Sequence, residues 1–90
     1  MGQYQMSLLA LINTLTTDID ECFNYADELI EMGLEPWRTL DTLTSLDDLR
    51  RQYIREAANC GMSVLSISGA CKLSPQAVRT IIDYQVSVDT

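Results

Sequence analysis

Few residues in this chain could do covalent or metal chemistry. The sequence has no histidine, the residue most often used as a general base and as a metal ligand. Its three cysteines, Cys22, Cys60 and Cys71, are 38 and 11 positions apart, and neither spacing matches a C-x-x-C redox motif or a zinc site. The sequence also contains no glycine-rich phosphate loop and no nucleophile elbow. We therefore expect neither an enzyme nor a bound metal or cofactor.

The cysteines also bear on the compartment. Three thiols cannot all pair within one chain, and scattered free cysteines are typical of a reducing cytoplasm, where a buried thiol packs as a small apolar group. A redox or disulfide role is the alternative. No apolar run reaches the roughly 20 residues of a membrane span, and the N-terminus lacks the charged start of a signal peptide. We expect a cytoplasmic protein without a membrane partner.

Charge is distributed unevenly along the 90 residues, whose net charge is −7. Residues 1–37 hold seven acids and no base, residues 38–79 hold six bases and four acids, and residues 80–90 add two acids. The three segments therefore carry −7, +2 and −2. The overall charge opposes binding to nucleic-acid phosphates, but the segregation leaves one mildly basic segment that can approach them.

The most informative polar residues lie in the segment 63–84, SVLSISGACKLSPQAVRTIIDY. Ser63 and Ser74 are both suited to cap the start of a helix. Pro75 would be the first helical residue after its cap, a position where the missing N–H leaves no helical bond unmade. The segment predicts two helices joined by a tight turn: 64–71, Lys72-Leu73 and 75–84.

This segment resembles the helix-turn-helix of DNA-binding regulators. In that family apolar residues lock two helices at a fixed angle, so that the first helix braces the second in the major groove of DNA. Ser68 takes the place of a small residue between the helices, and Ser74 matches the turn residue. The matching apolar residues are Ile67, Cys71, Leu73, Val78 and Ile81. The sequence departs from the pattern at Lys72, where glycine is usual and a positive φ is costly, and in having one base, Arg79, beside Asp83 in the second helix.

The resemblance implies a set of DNA contacts. Gln76 would bind an adenine edge, and Arg79 a guanine or a phosphate. Serine and lysine side chains and the N–H groups at the helix starts would hold phosphates. The residues implied to face DNA are Ser74, Pro75, Gln76, Arg79 and Thr80, and those implied to hold phosphates are Ser63, Lys72, Arg50, Arg51 and Arg55. For each of them, ordinary solvated helix surface is the alternative.

A long helix is predicted ahead of this segment. Between Tyr4 and about Met32 the apolar residues recur at alternating steps of four and three, which indicates one amphipathic helix that Gly33 ends. A break at Thr16-Thr17-Asp18 is the alternative. The apolar stripe is either core or a dimer interface. In the second case the dimerisation residues are Leu8, Ile12, Leu15, Ile19 and Phe23.

The middle of the chain is predicted to be a connector. Over 34–45, Pro36 and several Thr and Ser residues interrupt the apolar spacing. A cap at Thr44 or Ser45 then starts a helix over about 46–60, which the next glycine ends.

The expected fold is all-α, a small single domain over 1–90 made of a long N-terminal amphipathic helix within 1–33, the connector 34–45 and a C-terminal trihelical helix-turn-helix unit over 46–90.

These features lead us to expect a small DNA-binding transcriptional regulator. A segment of charge +2 holds DNA weakly by itself. A homodimer joined through the N-terminal helix would double the contacts and separate two recognition helices by one turn of DNA, ~34 Å. The alternative is an acidic helical module, of a type found in phages and mobile elements, that binds and modulates a host protein, with the acidic N-terminal helix as the surface for a basic site on that partner.

Overall fold

A computed structural model describes residues 2–84 as four α-helices, without a strand in that range. Helix α1 spans Gln3–Glu31, α2 spans Trp37–Asn59, α3 spans Val64–Cys71 and α4 spans Pro75–Tyr84. Helices α1 and α2 pack along each other as a hairpin, α3 packs on α1, and α4 packs on α2 and α3. The predicted all-α class is confirmed. None of the helices in this range is both long and apolar enough to span a membrane.

Helix α1 is continuous through the two threonines at its centre. The Thr16 hydroxyl donates to the Ile12 carbonyl at 2.8 Å, and the Thr17 hydroxyl donates to the Asn13 carbonyl at 3.2 Å. A threonine that bonds to the carbonyl four residues earlier has its hydroxyl satisfied within the helix. Neither hydroxyl is therefore available to cap a new helix, and the single long helix forms.

Two glycines end the long helices where the sequence predicts. Gly33 and Gly61 have φ values of 75° and 88°, in the left-handed region that glycine adopts without a steric penalty. After Gly33 the Leu34 N–H donates to the Leu29 carbonyl at 2.8 Å, and the equivalent bond after Gly61 is 3.1 Å. These bonds satisfy carbonyls that the end of a helix leaves without partners.

Helix α2 begins at Trp37, so the predicted connector over 34–45 and the predicted helix start near 46 are both wrong. The Thr42 and Thr44 hydroxyls donate to the carbonyls four residues earlier at 3.1 Å and 3.0 Å. As in α1, threonine is thus accommodated within a helix, and packing against the neighbouring helix outweighs its low propensity. The leucines of this first half of α2 are partly buried: Leu40, Leu43 and Leu46.

The main core joins the first half of α1 to the last part of α2 and to the two short helices. Its buried members are Leu8, Ile12, Ile54, Ala57, Met62, Ile67, Cys71, Val78 and Ile81. Farther along α1, Leu15, Ile19 and Ala26 are buried outside this cluster. The first half of α1 is therefore covered on several sides, whereas its second half has only α2 beside it.

The dimerisation residues need a correction. Leu8, Ile12, Leu15 and Ile19 are buried within one chain, so the prediction that they face a second copy is wrong for these four. The physical reason is that the chain covers this stripe itself: α2 pairs with α1 along it, and Leu8 and Ile12 share the main core with Ile54 and with Ile67 of α3. Phe23, the fifth residue of the set, is 52% exposed.

Because Ile12 is completely buried within one chain, Ile12→Ala is expected to lower the free energy of unfolding by about 3 kcal/mol, from lost burial and the cavity left behind. The loss should be the same at low and high protein concentration in urea denaturation followed by circular dichroism. Leu11→Ala, at an exposed position of the same helix, is the control and should cost less than about 1 kcal/mol. A loss for Ile12→Ala that depends on protein concentration would place Ile12 between chains instead.

Candidate nucleic-acid interface

Helices α3 and α4 start at the caps that the sequence predicts. The Ser63 Oγ accepts a hydrogen bond from the Ser66 N–H at 3.1 Å, and the Ser74 Oγ accepts one from the Ala77 N–H at 3.1 Å. Pro75 is the first residue of α4. Each serine satisfies an N–H group that the first turn of a helix leaves without a partner. The two predicted helices therefore form with the predicted starts.

The turn between these helices is held by its own backbone bonds. Lys72 adopts φ 57° and ψ 26°, the left-handed conformation, and its N–H donates to the Ser68 carbonyl at 2.9 Å. The Ser68 hydroxyl donates to the Leu73 carbonyl across the turn. Lys72 therefore has the positive φ that glycine usually provides in this turn, at a steric cost of about 1 kcal/mol for a residue with a Cβ.

Packing decides which side of α4 faces water. Val78 is completely buried and Ile81 is 7% exposed, and both belong to the same core cluster as α3. Arg79 and the helix start lie on the remaining surface. The predicted DNA-facing residues of this region are all exposed: Ser74, Pro75, Gln76, Arg79 and Thr80. Lys72 and Ser63 are exposed as well.

Arg50 does not lie on that surface. Its side chain is only 11% exposed, and its Nη2 is 3.0 Å from the Asp47 Oδ1. Its Nη1 donates to the Thr16 Oγ1 of α1 at 3.5 Å, and its Nε is buried without a hydrogen-bond partner. The prediction that Arg50 holds a phosphate is therefore wrong, because its guanidinium lies between the two long helices and bonds to both.

The other two arginines of α2 are also used inside the chain. The Arg51 Nε donates to the second oxygen of Asp47 at 3.0 Å, although the side chain stays 43% exposed. The Arg55 Nε donates to the Ile81 carbonyl of α4 at 3.2 Å. Asp47 is the acid of both ion pairs formed within residues 2–84. One aspartate a turn earlier and one carbonyl therefore occupy their Nε donors, and phosphate contact by Arg51 and Arg55 stays a prediction.

The surface around α4 is consequently less basic than the sequence suggests. Once Arg50, Arg51 and Arg55 are engaged, Lys72 and Arg79 are the two free cations of the α3–α4 region in the described part of the chain. A cleft between α2 and α4 lies next to this surface. It is lined by Asp47, Arg50, Arg51, Leu73, Ala77, Thr80 and Ile81.

A small polar cluster joins the start of α1 to the end of α2. Burial and the neighbouring charge of Glu56, whose Oε1 is 3.8 Å from the Cys60 Sγ, raise the pKa of the Cys60 thiol. The same carboxylate raises the pKa of Tyr4. A raised pKa keeps Cys60 in the thiol form, which is a poor nucleophile. In the described part of the chain no group of three or more His, Cys, Asp or Glu residues is placed to hold a metal ion.

A second surface was recognised only in part from the sequence, which indicated the acidic N-terminal helix as a site for a protein partner but not the groove beside its end. We call residues 18–41 the hairpin tip, since they include the end of α1, the turn and the start of α2. A groove there is lined by Tyr25, Leu29, Glu35, Trp37, Arg38 and Thr39. The signal available in the sequence was the run of large apolar residues on both sides of Gly33, Ile30 to Trp37, which the predicted connector obscured.

Comparison of the chain with protein-family models, curated proteins and solved structures finds no match. The function is therefore argued from the residues and their geometry.

The strained turn gives a test that separates backbone conformation from charge. Lys72→Gly is expected to raise the free energy of unfolding by about 0.5–1 kcal/mol, because glycine adopts a positive φ without strain. Lys72→Ala removes the same charge but keeps a Cβ, so its stability should stay near that of the natural chain. Urea denaturation measures both variants. Equal stabilisation by glycine and alanine would mean that the lysine charge, and not the backbone, is unfavourable there.

The polar cluster gives a test of thiol reactivity. Glu56→Gln removes a negative charge next to Cys60 and is expected to lower the pKa of this thiol. Its thiolate fraction at pH 8 then rises, and alkylation by iodoacetamide becomes severalfold faster. Peptide mass spectrometry follows each cysteine separately, and Cys22, outside the cluster, serves as the internal control. An unchanged rate at Cys60 would show that burial alone sets the pKa.

Proposed function

We propose that the chain binds double-stranded DNA by inserting the first turns of α4 into the major groove, in the manner of helix-turn-helix regulators, and thereby regulates transcription. The observation that supports this most is the outward face of α4. Gln76, Arg79 and Thr80 are exposed at spacings of three and four, which place them on one side of a helix. The opposite side is anchored in the core through Val78 and Ile81.

The chemistry of this face suits base edges. The Gln76 amide can donate to and accept from adenine N6 and N7, and the Arg79 guanidinium can donate twice to guanine. The Thr80 hydroxyl donates to the Gln76 carbonyl at 3.0 Å, so it is left with acceptor capacity. Lys72, in the turn ahead of α4, is suited to a phosphate contact. Ser74 has its oxygen engaged in the cap, and Pro75 has no N–H, so both position the helix and do not read bases.

The free cations set the expected strength of binding. Neutralising Z phosphates gives a slope of about −0.9Z in a plot of log affinity against log salt. On random-sequence DNA, where Arg79 contacts a phosphate in place of a guanine, Lys72 and Arg79 give a slope of about −1.8, whereas adding Arg50, Arg51 and Arg55 would make it about −4.5. The proposal concerns one chain on one site, because the aliphatic residues of the predicted dimer interface are buried within the chain.

The test uses two arginines that differ in position but not in charge. Fluorescence anisotropy of a labelled random-sequence duplex is measured at about 50 mM salt, where electrostatic binding is still strong. Arg79→Ala is expected to weaken binding about tenfold. Arg38→Ala, which removes the same charge from an exposed position in the hairpin tip, should change the affinity less than about twofold. Binding by the natural chain should show the slope of about −1.8.

Sequence selection from a random duplex pool provides the second readout. Gln76→Ala is expected to relax the preference at one base pair while the rest of the selected site persists. No binding by the natural chain at low salt would reject the proposal. Equal losses from Arg79→Ala and Arg38→Ala would indicate unspecific attraction. Binding that survives both Arg79→Ala and Gln76→Ala would exclude α4 as the recognition helix.

A further inference from the structure

We infer that the hairpin tip, residues 18–41, is a docking surface for a basic amphipathic segment of another protein. The inference is independent of DNA binding, since it uses neither α3 nor α4. It rests on three features of the tip: apolar exposure, charge, and the shape of the groove at its end.

The apolar exposure of the tip follows from the way the hairpin is covered. Helix α3 and the core cluster reach α1 at Leu8 and Ile12, and among the described helices α2 is the one that covers the second half of α1. Two helices alone bury one side of each other and leave the remaining sides in water. Six large apolar side chains of the tip are each 52–63% exposed: Phe23, Tyr25, Ile30, Met32, Leu34 and Trp37. The helical spacing places Tyr25 and Met32 on the flank of α1 that borders the groove, and Phe23 and Ile30 on the opposite flank. Exposed apolar surface beside a groove, as at Tyr25, Met32 and Trp37, marks interaction sites in monomeric proteins.

The charge of the tip identifies the kind of partner. Its 24 residues carry eight acids and one base, Arg38, a net charge of −7. Both ion pairs within residues 2–84 use Asp47, so none of the eight acids is neutralised by a base in the described part of the chain. The acids of the tip are Asp18, Asp20, Glu21, Asp27, Glu28, Glu31, Glu35 and Asp41. An apolar surface with an acidic rim is complementary to an apolar surface with a basic rim.

The negative charge of the tip also argues against three other binding partners: a second copy of this chain, DNA and an anionic membrane. A second copy would bring two surfaces of charge −7 together, and like charges opposed across an interface disfavour association. DNA and anionic membrane surfaces are repelled for the same reason. The partner that fits the tip is therefore a protein segment with lysine or arginine beside leucine or aromatic residues, arranged as an amphipathic helix.

The groove at the end of the tip provides a specific binding site for this segment. Tyr25 and Trp37 supply aromatic surface on its walls, and Glu35 supplies a carboxylate on the same lining, where Arg38 is the one base. An arginine or lysine of the partner can lie over an aromatic ring while its charge meets the carboxylate. Trp37 is the sole tryptophan of the chain, so its fluorescence reports occupancy of this groove directly.

The experiment selects peptides on the full chain. A phage-displayed library of random peptides is panned against the natural protein, and enriched peptides are synthesised. Enrichment of Lys/Arg with Leu/Phe at helical spacing is expected, with a blue shift of Trp37 emission on binding and an affinity that falls as salt rises. Glu28→Lys with Glu31→Lys should weaken binding at least tenfold. The matched double reversal Asp48→Lys with Glu56→Lys, at exposed positions outside the tip, should change the affinity less than twofold.

A second pair of variants, one test and one control, examines the apolar part of the surface. Tyr25→Ser, in the lining of the groove, is expected to weaken peptide binding severalfold, and Leu65→Ser, at a still more exposed apolar site on α3, should leave it unchanged. Circular dichroism of each variant confirms folding. Enrichment of acidic or uncharged peptides, or binding insensitive to the tip variants, would overturn the inference. So would light scattering that shows a dimer whose Trp37 emission is already blue-shifted and does not respond to peptide. The DNA assay with Arg79→Ala is scored separately, so either proposal can fail alone.

Discussion

The pairing of α1 with α2 along most of their length is the contact on which the rest of this structure depends. It buries the aliphatic stripe of α1 that includes Leu8 and Ile19, so that this stripe is covered within a single chain. The polar link across this pairing runs from Thr16 through Arg50 to Asp47. A buried guanidinium tolerates few arrangements, because each lost partner leaves charge or a donor unsatisfied. We therefore attribute the register of the two helices in part to this link.

The same pairing redistributes the charges that the sequence offers. The bases of α2 that look available for phosphate are turned to structural use, Arg50 and Arg51 by Asp47 and Arg55 by a carbonyl of α4. The DNA binding proposed for α4 would then depend on side-chain recognition more than on attraction of phosphates. At the other end, the hairpin tip carries eight acids and one base, Arg38, and none of these acids forms an ion pair within residues 2–84. The chain thus has two chemically different surfaces held apart by one rigid pair of helices.

Local signals in the sequence predicted local structure well. Ser63 and Ser74 cap helices, and Gly33 and Gly61 end them, because these contacts lie within a few residues of one another and the side-chain type decides them. The threonines of the predicted connector led to a wrong prediction because a long-range contact, and not a local one, decides what they do. A threonine hydroxyl can cap a helix or bond back along one, and only the neighbouring helix decides which. With that neighbour in place, Thr42 and Thr44 lie inside α2.

The sequence by itself determined the all-α class, the starts of α3 and α4 and the end of α3, since these depend on spacing and on short-range bonds. Only the tertiary structure decided the roles of the apolar stripe and of the arginines. A heptad stripe is equally suited to a partner chain or to the next helix of its own chain, and the packing of α2 and α3 on α1 selects the second. An arginine on a helix surface is free or engaged according to which acid or carbonyl lies within about 3 Å, a distance that the linear order of residues does not contain.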